Sequence, residues 1–149
     1  MITLLSLKRE ITKEECFKHL EFPFVAKEEY SKLRIKYSYF PKDYLGEDGF
    51  DLALNAFKEA YGDSLVDIEK VKNELPLKNH ITLSLSKEGE LIGTAHRHAN
   101  NLVVEVSQLG STPGFYLVPI RKGNYSVVLS VHALLSEKVT AEVEVVAYE

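Results

Sequence analysis

The residues whose types and spacing could do chemistry in this chain are histidines. His96-Arg97-His98 puts two imidazoles at i and i+2, which on a strand point to one face. His80 and His132 lie in other strand-like segments that can approach them. Imidazoles gathered this way ligate Zn²⁺ or another transition metal, and with Arg97 they form a polar set for a small ligand. The plainer reading is that they hydrogen-bond within or beside a sheet. The motif lacks following acidic residues and the companion ligands of a full metal centre, so no metal and no other cofactor is expected. His80, His96, Arg97, His98 and His132 stand as the candidate ligand-binding residues.

Other clusters carry less. Glu47, Asp48 and Asp51 surround Gly49, and loop carboxylates of this kind can hold Ca²⁺. Their spacing is not that of an EF-hand, and Asp48 as a helix cap with Asp51 in the first helical turn accounts for them. Tyr30, Tyr37, Tyr39, Phe40, Tyr44, Phe115, Tyr116 and Tyr125 would stack on a sugar ring if exposed together, but strand aromatics mostly fill cores, and the chain has no Trp. Cys16 reads as a small buried hydrophobe. Glu142 and Glu144 read as a solvated strand face. There is no Gly-x-Ser-x-Gly elbow, phosphate-binding loop or dinucleotide fingerprint, so no catalytic residue is assigned.

The elements that position these residues are mainly strands. Leu33, Ile35, Tyr37 and Tyr39 alternate with Lys32, Arg34, Lys36 and Ser38, one dry face against one wet face. Ile81, Leu83 and Leu85 alternate with Thr82, Ser84 and Ser86. Tyr125, Val127, Leu129, Val131 and Ala133 share a face opposite Ser126, Ser130 and His132, with Val128 and Leu134 as apolar exceptions, and Val139, Ala141, Val143 and Val145 alternate with Thr140, Glu142 and Glu144. A first strand spans residues 2–12. A second spans 16–24, placed at an edge by Pro23, which cannot donate to a ladder. Lys87-Glu88-Gly89-Glu90 is a hairpin turn leading back through 91–98, and 102–107 is a further strand. Thr112-Pro113-Gly114-Phe115 suits a type II turn; a strand is expected after it, up to a second turn at Arg121-Lys122-Gly123-Asn124.

The period changes in the middle. Phe50, Leu54, Phe57 and Tyr61 recur at i, i+4, i+7 and i+11, with Asp48 to cap and Gly62 to end the helix. A second helix is expected from Leu65, capped by Ser64 with Asp67 three residues on, and stopped by Pro76. The reading is a mainly β domain over residues 1–149: an antiparallel two-sheet β-sandwich of about eight strands with a helical pair near 50–75, inserted over 48–76.

The Thr-Pro-Gly-aromatic turn at 112–115, the following Pro119-Ile120, the Gly-x-aromatic-x-Val-x-Leu strand from Gly123 to Leu129, and Gly93-Thr94-Ala95-His96-Arg97 together resemble the N-terminal sandwich that precedes the catalytic domain in carbaryl-hydrolase-like phosphoesterases of the polymerase and histidinol phosphatase (PHP) superfamily. The likeness is best over residues 79–148, weaker over 1–45 and absent over 46–78. The family's metal-binding part, which opens with His-x-His, would begin about where this chain stops. The resemblance therefore implies an accessory domain and not the enzyme.

At 149 residues the chain suffices for one substantial core. A net charge of −4 with no basic stripe argues against nucleic acid. A single cysteine excludes an internal disulfide, and without a signal-like start or a long apolar run a cytoplasmic protein with no membrane association is expected. The functional expectation is a non-catalytic interaction domain that docks to or positions a protein partner, a PHP-type catalytic domain or a second copy, through the face of Phe50, Leu54, Phe57 and Tyr61. The alternative is a small-ligand, carbohydrate or metal-binding module built on the histidines.

Overall fold

A computed structural model describes residues 1–95 and 99–149. Alternation at period two yields strands, and the chain lays them into two sheets. In order they are β1 (Ile2–Thr12), β2 (His19–Ala26), β3 (Lys32–Phe40), β4 (Asp43–Tyr44), β5 (Leu77–Lys78), β6 (His80–Lys87), β7 (Glu90–Thr94), β8 (Asn101–Ser107), β9 (Gly123–Ala133) and β10 (Lys138–Tyr148), with helices α1 (Gly49–Tyr61) and α2 (Ile68–Asn73) between β4 and β5. Sheet A has the order β1-β10-β3-β8 and sheet B the order β2-β9-β6-β7; their pairings are antiparallel. The expected sandwich is therefore observed, with β4 and β5 forming a small separate ribbon.

The core is the meeting of the two inner faces. Leu33, Ile35, Tyr37 and Tyr39 of β3 and Val139, Ala141, Val143 and Val145 of β10 are buried against Ile81, Leu83 and Leu85 of β6 and Tyr125, Val127, Leu129 and Val131 of β9. Two tyrosines tie the layers together. The Tyr37 hydroxyl donates to the Ile81 carbonyl at 2.7 Å, and that of Tyr39 to the Asn79 carbonyl at 3.2 Å. Burial pushes the Tyr37 phenol far above its ordinary pKa, so it stays a donor.

The turns follow their residues. Glu88 and Gly89, at φ 51° and 82°, make the two-residue hairpin between β6 and β7. Gly114 has φ 97° and the Phe115 amide donates to the Thr112 carbonyl at 3.1 Å, as a type II turn requires. Pro23 lies on β2, the edge of sheet B.

Three local expectations are corrected. The second strand begins at His19 and not at Cys16, because a 3-10 turn at Lys13–Glu15 and a left-handed Phe17 (φ 69°) intervene. The expected strand after the 112–115 turn is not formed: Phe115 and Ile120 make isolated bridges to Gly93 and Tyr30. Pro113 and Pro119 lack donors, and the segment serves two sheets at once. Thr112 and Val118 donate to Glu105 and Ser107 of β8, while Thr94 of β7 donates to Gly114 and Tyr116 donates to Ile92 of β7. The third correction concerns the helices. The second starts at Ile68 with Asp67 as its cap, the carboxylate accepting from the Glu69 amide at 3.0 Å. For the first, Asp48 sits at the cap position but its side chain makes no capping bond; it accepts the Tyr44 hydroxyl.

The helical insertion leaves and rejoins the sandwich at Asn79, which is fully buried. Its Nδ2 donates to the Pro41 carbonyl and to Ser136 Oγ, both at 2.9 Å, and its Oδ1 accepts from the Leu135 amide at 2.8 Å and the Ser136 amide at 3.4 Å. One side chain thus joins the end of β3, the start of β6 and the β9–β10 turn. Asn79→Ala orphans several of these groups and is expected to cost about 2–4 kcal/mol, read as a lower midpoint in urea unfolding. Gly93 gives a second handle: a Cβ there would lie 2.4 Å from the Gly114 carbonyl oxygen and 2.5 Å from Phe115 Cα, both backbone atoms. Gly93→Ala is expected to lower stability by about 1–3 kcal/mol by forcing the 112–116 turn off β7, measured in the same unfolding series.

Candidate functional site

The outer face of sheet B carries an array of imidazoles and hydroxyls. β9 is a central strand, with β2 on one side and β6 on the other. Its outward residues Ser130 and His132 meet Thr82 of β6, the register partner of Ser130. His132 Nε2 lies 2.8 Å from Thr82 Oγ1, and the His80 and His132 rings are 5.1 Å apart, centre to centre, inclined at 30°. On the other flank His19 of β2 faces Ser130 in register, with Nδ1 at 2.7 Å from Ser130 Oγ. Thr82 and Ser130 are only 9% and 8% exposed although they sit on the outside of the sheet.

Of the five predicted ligand-binding residues, the structure brings His80 and His132 together. His96, Arg97 and His98 lie outside the described residues. His19, Thr82 and Ser130 were not singled out from sequence as site residues. The signal for Ser130 and Thr82 was their outward parity beside His132, whereas pairing β2 with β9 needed the three-dimensional register. Among the described residues no three His, Cys, Asp or Glu side chains group as a metal centre.

The Ser130–His19 contact has the reach of a nucleophile–base pair, but its setting is wrong for acyl transfer. β9 is laddered on both edges, so the backbone N–H groups near Ser130 are committed to sheet bonding rather than to an oxyanion. Cys16 is half-buried and packs on the core, with Sγ 4.0 Å from the His132 carbonyl oxygen.

The outer face of sheet A is different in kind. A depression of about 530 Å³ is lined by Lys8, Lys36, Ser38, Asn101, Glu142 and Glu144. Opposite charges face each other across its strands: Lys8 is 3.8 Å from Glu142, and Glu144 opposes Lys36 in register. Lys32 and Arg34 both reach Glu105, at 3.2 and 3.9 Å. Such exposed, mutually compensated pairs describe a solvated face. Of the aromatics, Tyr37, Tyr39, Tyr125 and Phe115 are buried, with Phe24 stacked on Tyr125 at 5.4 Å inside the core, while Phe40 and Tyr116 are exposed.

The helical arm offers the contrasting surface. Its two helices bury Ala53 and Val71, yet neither belongs to the sandwich core cluster, so the arm packs on itself. Gly62, at φ 82°, ends α1 with its amide donating to the Lys58 carbonyl at 2.9 Å. Of the four predicted contact residues, Phe50, Leu54 and Phe57 are half-buried within the arm, and Phe57 packs on Tyr61 with ring centres 5.8 Å apart. Tyr61 is exposed, as are Leu65 and Ile68 beyond it. The exposed apolar surface therefore lies farther along the chain than the α1 periodicity placed it. Asp43–Lys78 and Tyr44–Leu77 pairing closes the arm's stem, reinforced by a Lys78–Asp43 ion pair.

No protein family matches the sequence, and no curated protein matches it. A crystal structure of a protein from Sulfurospirillum deleyianum is similar over 93% of this chain and 96% of its own, at 16% identity and a TM-score of 0.36. Among the described residues no helix is long and apolar enough to cross a membrane.

An arm with its own small core opens at lower free energy than the strands beneath it. In hydrogen-exchange mass spectrometry, amides of α1 and α2 are expected to exchange about two orders of magnitude or more faster than those of β3, β9 and β10.

Proposed function

We propose that this chain is a non-catalytic interaction domain in which a β-sandwich holds a helical arm out to a protein partner. The observation that carries the reading is the apolar surface of the arm: Tyr61, Leu65 and Ile68 are 61%, 74% and 43% exposed on an element that adds nothing to the sandwich core. Solubility is poorly served by such a surface. Interfaces concentrate their binding energy in such aromatic and aliphatic anchors surrounded by polar residues. Asp63, Asp67, Glu69 and Lys70 lie beside these residues in the chain and are exposed. The likeness of residues 79–148 to the domain that precedes PHP catalytic domains supports a finer version, in which the partner is a PHP-type metal-dependent phosphoesterase and this chain positions it.

The test pairs the wild-type protein with a triple variant, Tyr61→Ser, Leu65→Ser and Ile68→Ser. Affinity capture is followed by reconstitution with the purified partner and a measured Kd. The variant is expected to keep its unfolding midpoint and to bind at least about tenfold more weakly, the effect of losing about 1.4 kcal/mol at an interface. A partner with metal-dependent phosphoesterase activity would support the finer version. Equal retention by both proteins would remove the arm as the docking surface.

A further inference from the structure

We propose that His80 and His132 form a two-imidazole site for a divalent transition-metal ion, of the Cu²⁺, Ni²⁺ or Zn²⁺ class, on the outer face of sheet B. The site is independent of the arm and of any partner docked there. Its first support is distance. A metal bound about 2.0–2.1 Å from an imidazole nitrogen lies about 3.2 Å from the ring centre, so two rings at a tetrahedral angle have centres about 5 Å apart. The His80 and His132 centres are separated by 5.1 Å.

The second support is how the ligands are held. The two histidines project from adjacent antiparallel strands, β6 and β9, at a register shift: His80 pairs with Ala133 and Ile81 with Val131, and His132 stands between the two pairs. Thr82 Oγ1, 2.8 Å from His132 Nε2, takes the part played by outer-shell groups in metal sites: it holds the ring's orientation, and a metal on Nδ1 would place the proton on Nε2, within reach of that hydroxyl. Thr82 is itself nine-tenths buried, so its hydroxyl is positioned by the sheet rather than by solvent.

The donor set selects the ion. Imidazole suits Zn²⁺, Cu²⁺ and Ni²⁺, whereas Mg²⁺ and Ca²⁺ want carboxylate and carbonyl oxygens. Among the described residues no third His, Cys, Asp or Glu groups with this pair. Binding requires the imidazoles in their neutral form, so metal competes with protons for them.

The experiment uses full-length, tag-free protein titrated with Cu²⁺, followed by calorimetry and by electron paramagnetic resonance. One equivalent is expected to bind, with a spectrum showing two coordinated nitrogens. His80→Gln and His132→Gln are each expected to weaken binding tenfold or more. Thr82→Val, which keeps the shape and removes the hydroxyl, should weaken it by about tenfold through orientation alone. His19→Gln, on the same face but outside the pair, should leave the affinity unchanged. Thermal unfolding of each apo variant checks that the fold is intact. Wild-type binding that survives both His80→Gln and His132→Gln, or the absence of stoichiometric binding, would overturn the proposal.

Discussion

The structure depends on one buried amide. Where the helical arm leaves and rejoins the sandwich, backbone from three places converges without a ladder to satisfy it, and unpaired buried polar groups there would be costly. Asn79 answers with both donor and acceptor sides of its side chain, while its own carbonyl receives Tyr39 and Lys42 and its amide reaches the Lys42 carbonyl. A carboxylate could not donate to Pro41, and an aliphatic residue could do neither. Because Asn79 immediately precedes β6, the strand that carries His80 and Thr82, the base of the arm and the start of the histidine face share one anchor.

The two outer faces illustrate how a sandwich with one core can have two chemistries outside. On sheet A the charges oppose one another across strands and cancel locally. On sheet B the outward residues of β9 and β6 are mostly short hydroxyls and imidazoles, which meet one another through hydrogen bonds. Near the end of β1 a charge is turned inward instead: Arg9, on the parity of Leu7 and Ile11, lies over the Phe22 ring and pairs with Glu15 at 2.6 Å. That guanidinium holds the Glu15 carboxyl below the ordinary carboxylate range.

Much of this fold was legible because burial on one face imposes period two, and β3, β6, β9 and β10 show it over most of their lengths. The turns at Gly89 and Gly114 were legible because only certain residues accept their dihedral angles. The failures have a common physical source. The 112–120 segment has strand-like composition, but its hydrogen bonds go alternately to β8 and β7, a division decided by which edges stand on the same side of the molecule. Asp48 had the right type and place for a cap, and a tertiary neighbour, Tyr44, took its carboxylate. The histidine pair was half-legible: His132 followed from outward parity, whereas its distance to His80 and its bond to Thr82 required the β6–β9 register. His19 could be placed on that face only after β2 had been paired.

The double stitching by residues 112–118 has a consequence for assembly. It caps β7 and β8 together, so the sandwich has one sealed flank and one flank, β1 with β2, whose outer backbone groups face away from either sheet. Strand addition can therefore start from one side alone, and there it meets Pro23 and the inward Arg9, both of which oppose a flat continuous edge. The segment that declined to be a strand thus stands between these two edges and any strand that would add to them.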